Sequence, residues 1–497
     1  MGCGVYGVID CGREPILQHL YWGLKSLNHR GHQSHGFATY NGSLHTRRGL
    51  GLIPRIDMKG MEEWMAELPG HVGIGNTRYS TSGGLDKTNL LKDTQPIVAE
   101  APPRSWVTIS YNGNLVNALR LEREIQAKAG VRCSCDSMAL CWKLLMELQE
   151  HGDLPEAVKA CMAEVEGAYS VILLLPGGRL AAFKDPHGIR PLCAGSSPGG
   201  EVKAFSSESI GLDINGLNFE FEMNPGELVE AGGEGFTRIR LRDDERRLCA
   251  FEFAYFARPD SLLGERYVYE VREALGRNLA EEYHEILNRC DLIVSMPETA
   301  DDAAFGMHEA SGIRWERAIR RHRYVTERAF IMLSQERRTI LNKKISILAR
   351  RLSGKKIALI DDSIVRGDTM GEVIGRLRSS GAREIHVFVT FPRIVAPCFY
   401  GIDMATYGEL IGASRTPEEV AEILQADSVN YQSIDSYVRA TGLSRGELCT
   451  ACITGSYPTP IAQEMADRMK ELLESGGEER RRIYEEEAAM ERGDAHG

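Results

Sequence analysis

The chain has 497 residues, 26% charged and 43% hydrophobic, with a formal net charge of −11. That length allows two to four domains with their own cores, and an acidic chain without a Lys/Arg stripe interleaved with aromatics lacks the footprint of a nucleic-acid binder. No apolar run approaches the ~20 residues of a membrane helix, and the start Met1-Gly-Cys-Gly-Val-Tyr lacks the basic and apolar regions of a signal peptide, so no membrane partner and a cytoplasmic location are expected.

From Met1 to about Leu241 the apolar runs are short and strand-like: Val5 to Ile9, Val72 to Asn76, Val107 to Tyr111, Ser170 to Leu175 and Leu180 to Phe183. Helical stretches such as Ser137 to Gln149 interrupt them, which predicts strands packed against helices. A Gly-rich segment, Ala231 to Gly235, and a charged run, Arg238 to Arg247, close this region.

Beyond Tyr255 the pattern alternates: a helix Arg272 to Leu287, a strand Leu292 to Met296, a helix after Asp301, a strand Ile357 to Ile360, a helix Val373 to Leu377 and a strand Ile385 to Phe391. Such alternation predicts crossover units and a parallel sheet, whose ligands sit at the carboxyl ends of strands. Asp361 and Asp362 fall there, followed by a small-residue loop that opens a helix. Paired carboxylates at a strand end can accept hydrogen bonds from a diol or hold hydrated magnesium, while loop and helix N–H groups collect a phosphate. By itself the element also fits a generic nucleotide or phosphate loop. The tail after Gln463 has helical spacing and many charges.

Cys3 stands almost at the amino terminus. An N-terminal cysteine joins a nucleophilic thiol to a free α-amine, pKa near ~8, that can serve as its base; on position alone Cys3 also reads as a small residue entering the first strand. Four further elements accompany it: His29-Arg30-Gly31, Arg78-Tyr79-Ser80-Thr81, Asn112-Gly113-Asn114 and Asp136-Ser137. In this order they resemble the class II glutamine amidotransferases, which are N-terminal nucleophile hydrolases, and more narrowly the amidophosphoribosyltransferase family. The resemblance implies Cys3 as nucleophile, the Asn112 side chain and the Gly113 N–H as oxyanion donors, and Arg78, Thr81 and Asp136 as the glutamine site. Arg78 would take the substrate carboxylate as a two-pronged donor and Asp136 its ammonium. Gly2 precedes Cys3, so its removal is expected, as in family members with a leader. His29, His32 and His35 raise a metal site, but no carboxylate or cysteine accompanies them; they are expected to line or support the glutamine pocket.

The stretch from Lys356 to Thr369 is similar to the phosphoribosyltransferase fingerprint, and its Asp-Asp-Ser-Ile-Val-Arg-Gly core to that of the same family. The resemblance assigns Asp361, Asp362, Ser363, Arg366, Gly367 and Thr369 to phosphoribosyl diphosphate, and Asp361, Asp362 and Thr299 to magnesium. Thr299 lies in Pro297-Glu298-Thr299, which also reads as a strand-to-helix turn with Thr299 as cap. Asp368 replaces the family's neutral residue, and a carboxylate beside a phosphate costs energy unless it turns outward. Arg321 to Ile331 resembles the family's mobile loop but lacks its glycine.

Cys449-x-x-Cys452 alone fits a redox pair, half a zinc site or two buried thiols. Together with Cys249 and Cys398 it stands in the contexts of the family's iron-sulfur ligands, which implies a 4Fe-4S cluster, although zinc takes the same number of thiolates. The other cysteines lack such a context. The expected fold is α/β and α+β: an N-terminal nucleophile hydrolase αββα sandwich over 3–240, a phosphoribosyltransferase parallel-sheet domain over 250–445, and a cluster-ligand segment with a helical tail over 446–497. The expected activity is glutamine-dependent amination of 5-phosphoribosyl 1-diphosphate, by a homo-oligomer, dimer or tetramer. An ammonia-only enzyme with a silent glutaminase and a non-catalytic phosphoribosyl-diphosphate sensor are the alternatives.

Overall fold

A computed structural model describes residues 2–79, 87–102, 105–322, 345–404 and 406–475. The first strand, Gly4–Asp10, is buried along its whole length, and its alternation explains why. Val5 and Ile9 point into one apolar layer, Tyr6 and Val8 into another, as a period of two requires for a strand covered on both faces. The strand Gly167–Leu175 divides in the same way: Ile172 and Leu174 join Val5 and Ile9, while Tyr169, Val171 and Leu173 face a helical layer.

Two antiparallel sheets therefore lie face to face. Among the described residues one has seven strands, ordered Asn218–Glu222, Cys193–Ser196, Val202–Ser206, Gly4–Asp10, Val72–Arg78, Ser34–Tyr40 and Leu44–Leu50. The other has six, ordered Gly235–Arg240, Glu227–Gly232, Arg179–Lys184, Gly167–Leu175, Ser105–Leu115 and Ile97–Ala101. The helices Leu17–Ser26 and Met58–Glu67 cover the outside of the first sheet. The helices Ala118–Ala129, Asp136–His151 and Leu154–Glu164 cover the outside of the second. The order is helix, sheet, sheet, helix, with Ala231 to Gly235 forming the turn of a hairpin.

The later residues build a parallel sheet of Leu292–Ser295, Lys356–Asp361, Glu384–Val389 and Ser428–Tyr431, in that order. Its interior strands are continuous apolar runs because both faces are covered. Two predicted elements differ in extent. The strand expected over Val107 to Tyr111 continues to Leu115, which puts Asn112 and Gly113 inside a sheet. The helix expected over Arg272 to Leu287 starts at Val268 and breaks at Tyr283, whose hydroxyl donates to the Tyr431 carbonyl at 2.7 Å.

Candidate active sites

The register of the first sheet pairs Gly4 with Thr77, so Cys3 and Arg78 stand at facing ends of adjacent strands. Cys3 is buried; its N–H donates to Asn112 Oδ1 at 3.0 Å and its Sγ lies 3.7 Å from the Tyr79 carbonyl oxygen. Burial pushes the thiol pKa up, and the charge of Arg78 acts against that rise. Asn112 reaches Cys3 from the opposing sheet. Its Oδ1 is taken by Cys3, while its buried Nδ2 has no hydrogen-bond partner among the described residues, a donor held ready in a dry site. Gly113 follows where the backbone passes so close that an added Cβ would stand 1.8 Å from the Ala168 carbonyl oxygen, which only glycine permits.

Asp136 begins the helix Asp136–His151. Its carboxylate accepts from the Tyr111 hydroxyl at 2.8 Å, from Leu115 N at 3.3 Å and from Ser137 N at 2.8 Å, and its charge is felt by Cys3. Burial, then the charge of Asp136, raises Tyr111 well above the usual phenol value, so the phenol stays a donor. Arg78 is buried with its Nη2 3.8 Å from Asp93 Oδ2. The structure thus gathers a thiol, a carboxamide donor, a guanidinium and a carboxylate. Thr81 lies outside the described residues. The histidines separate instead of converging: His29 Nε2 meets Glu208 at 2.7 Å, His35 Nδ1 meets the Gly51 carbonyl at 3.0 Å, and His32 lies beside the Tyr79 ring.

The second group forms at the carboxyl ends of two adjacent parallel strands. The Thr299 hydroxyl, after Leu292–Ser295, donates to Asp362 Oδ2, after Lys356–Asp361, and the Ser363 hydroxyl donates to Asp362 Oδ1 at 2.5 Å. Burial, then the charge of Asp362, pushes the Asp361 carboxyl well above its ordinary value; burial also raises Asp362. Gly367, with φ 87°, caps the helix Asp368–Ser379 and turns the loop into it. Asp368 and Thr369 are exposed in its first turn, so Asp368 is free to face solvent. Arg366 is held by Glu409, with its Nε 2.8 Å from Glu409 Oε2. Arg321 and His322 are described, and the rest of the predicted mobile loop lies outside the described residues.

A model of the glutamine amidotransferase domain matches residues 85–213. The amidophosphoribosyltransferase of Methanothermobacter thermautotrophicus is 36% identical over 94% of this chain and 96% of its own length, and that of Bacillus subtilis 33% over 93% and 95%. The chain belongs to the amidophosphoribosyltransferase family. Among solved structures, a glutamine phosphoribosylpyrophosphate amidotransferase from B. subtilis complexed with ADP and GMP is 32% identical, with a TM-score of 0.82 over 92% of this chain and 98% of that one. The amidophosphoribosyltransferase fold is the one expected: an N-terminal nucleophile hydrolase sandwich followed by a phosphoribosyltransferase-type parallel sheet.

In amidophosphoribosyltransferase terms the four contextual cysteines are the remaining set. Cys249 and Cys449 are register partners in a short parallel pair, the Cys452 carbonyl accepts from Val395 N and Ala396 N, and Cys398 packs against the same apolar cluster. Burial raises Cys249 to about 11 and Cys452 well above the thiol range, and the charge of Cys398 pushes both further up. The buried Arg190 guanidinium lies close enough to Cys249 and Cys398 to feel their charge. Among the described residues no set of three or more His, Cys, Asp or Glu side chains meets the spacing of a metal site.

Sequence reasoning missed what holds Cys3. Arg30, inside the quoted His-Arg-Gly triplet, is fully buried and donates to the Cys3 carbonyl, Glu208 and Glu252. Asp93 and Tyr111, which face Arg78 and Asp136, were missed too; the phenol closing the apolar run Val107 to Tyr111 was an available signal, whereas Asp93 lies in the polar stretch Lys92 to Gln95 and carries none.

Proposed function

We propose that this protein catalyses glutamine-dependent amination of 5-phosphoribosyl 1-diphosphate to 5-phosphoribosylamine, releasing glutamate and pyrophosphate. The observation that carries the reading is the buried Asn112 Nδ2, which has no hydrogen-bond partner among the described residues and belongs to the side chain that holds the Cys3 N–H. An amide donor placed there finds its acceptor when a carbonyl oxygen becomes an oxyanion. The Cys3 thiolate would attack the glutamine carboxamide carbon; Asn112 and the Gly113 N–H would hold the oxyanion. The α-amine takes the Cys3 thiol proton and, as an ammonium, passes it to the leaving nitrogen as the C–N bond breaks, and water then cleaves the thioester to glutamate. Arg78 would pair with the substrate carboxylate, Asp136 with its ammonium, and Thr81 belongs to the same assignment. Loss of Gly2 is part of the proposal, because its peptide bond occupies the α-amine that acts as base.

The released ammonia attacks C1 of the ribose and the C1–O bond to pyrophosphate breaks. Asp361 and Asp362 would bind the ribose hydroxyls, and Ser363, Arg366, Gly367 and Thr369 the 5-phosphate, with N–H groups of the loop and helix start as donors. Two mutually repelling carboxyls, with the Thr299 hydroxyl on Asp362, fit a hard cation, and magnesium held by Asp361, Asp362 and Thr299 would neutralise charge on the departing diphosphate. Cys249, Cys398, Cys449 and Cys452 would hold a 4Fe-4S cluster whose contribution is to cross-link three distant segments.

The same reading assigns 3–240 to the glutaminase, 250–445 to the phosphoribosyltransferase and 446–497 to the cluster segment and tail, in a cytoplasmic homo-oligomer. It is supported by the seven-, six- and four-stranded sheets, which draw their strands from 4–240 and 292–431; no helix among the described residues is long and apolar enough to cross a membrane. The test is anaerobic purification with amino-terminal sequencing, then turnover with glutamine and with ammonium. Glutamate and pyrophosphate should form in equal amounts, and Cys3→Ala should keep only the ammonium reaction. Neither product appearing from protein with a free cysteine terminus refutes the reading.

A further inference from the structure

We propose that Glu252 is a positioning residue for the Cys3 nucleophile, and that through it the second half of the chain fixes the reacting thiol of the first. This rests on the reading of Cys3 given above. All three nitrogens of the Arg30 guanidinium are engaged: Nε donates to the Cys3 carbonyl at 3.2 Å, Nη1 to Glu208 Oε1, and Nη2 to Glu252 Oε1 at 2.6 Å. With its side chain fully buried, Arg30 cannot exchange a lost partner for water. Its grip on the Cys3 carbonyl is therefore as rigid as the two carboxylates behind it.

Those carboxylates differ in what stands behind them. Glu208 is tied by His29 from the first half and by the Ser261 hydroxyl at 2.7 Å and Arg258 N at 2.9 Å from the start of the second. Glu252, three residues after Cys249, is shared by two buried guanidiniums, because its Oε1 also accepts from Arg190 Nη1 at 3.3 Å. Arg190 in turn donates to the Tyr400 carbonyl from Nε at 2.9 Å and from Nη2 at 2.5 Å. A continuous chain of buried charge-assisted bonds thus runs from the Cys3 carbonyl through Arg30, Glu252 and Arg190 to Tyr400. Charge-assisted bonds in a dry interior are the strong and geometrically selective ones. Moving the Tyr400 segment displaces Arg190, then Glu252, then the arginine on which Cys3 rests.

The test compares Glu252→Gln with the charge-balanced pair Glu252→Gln/Arg190→Gln, measuring glutamine-driven turnover as a ratio to ammonium-driven turnover, which bypasses Cys3. For positioning, kcat with glutamine falls about tenfold or more relative to ammonium while KM for glutamine stays within about twofold. Glu252→Asp, which keeps the charge but not the reach, recovers only part of it. An unchanged ratio, an equal fall with both nitrogen sources, or failure of both variants to fold makes Glu252 a structural ion-pair partner only and overturns the proposal. If the parent protein keeps its glutamine turnover after Cys3→Ala, the nucleophile assignment is wrong, and that outcome is read separately from the Glu252 result.

Discussion

Asn112→Ala isolates the oxyanion donor. The parent amide nitrogen is wholly buried and has no hydrogen-bond partner among the described residues, and an unsatisfied buried donor stands about 1–3 kcal/mol above a satisfied one. That strain is relieved, with the added strength of a charged acceptor, only when the tetrahedral oxyanion forms. Loss of one such donor removes about 2.7–4 kcal/mol of transition-state stabilisation, or about 10²–10³ in kcat. KM for glutamine should change little, since Arg78 and Asp136 are untouched. The assay is steady-state glutamate release, with ammonium-driven pyrophosphate release as reference. A fall in kcat of less than about threefold, or an equal fall with ammonium, would show that Asn112 Nδ2 does not meet the oxyanion.

Arg78→Lys should raise KM for glutamine about tenfold or more, since an ammonium cannot replace a two-pronged guanidinium, and titrating initial rates against glutamine checks it. Asp361→Asn should abolish amination with either nitrogen source yet raise the unfolding temperature. The folded carboxyl has a raised pKa, so its favourable protonated form stabilises the parent below the ordinary carboxylate pKa, and that stability is lost as pH rises through the folded value. The gain in the variant should accordingly grow from acid to neutral pH in melting scans. Cys135→Ser should stabilise the first half by about 0.5–1 kcal/mol in denaturant titrations, because Cys135 holds the N-cap of the helix Asp136–His151 without a side-chain cap.

Much of this was legible locally. Continuous apolar strands such as Ile172 to Leu175 announce themselves because both faces are covered, and Asp361 stands out as an acid closing such a run, whereas Cys3 was read from its place near the amino terminus and Asn112 from the family resemblance. The ion network was not legible, because Arg30 meets Glu208 and Glu252 across 178 and 222 residues and no periodicity encodes such a pairing. The break at Tyr283 was hidden for the same reason: the helical pattern continues, and a carbonyl on a distant strand captures the phenol.

The junction between the halves constrains how this architecture can be inherited. Asn114 donates to the Phe399 carbonyl at 2.9 Å and the Tyr79 hydroxyl to Asp403 at 2.9 Å, flanking the Arg190 contact to Tyr400. A lineage that exchanged only the glutamine-handling module would take Arg30 and Arg190 away with it and leave the Glu252 carboxylate buried in the seam without their guanidiniums. Recombination at this border is therefore permissible only when the incoming module carries matching cations, so the two modules are expected to travel through evolution as a bonded pair.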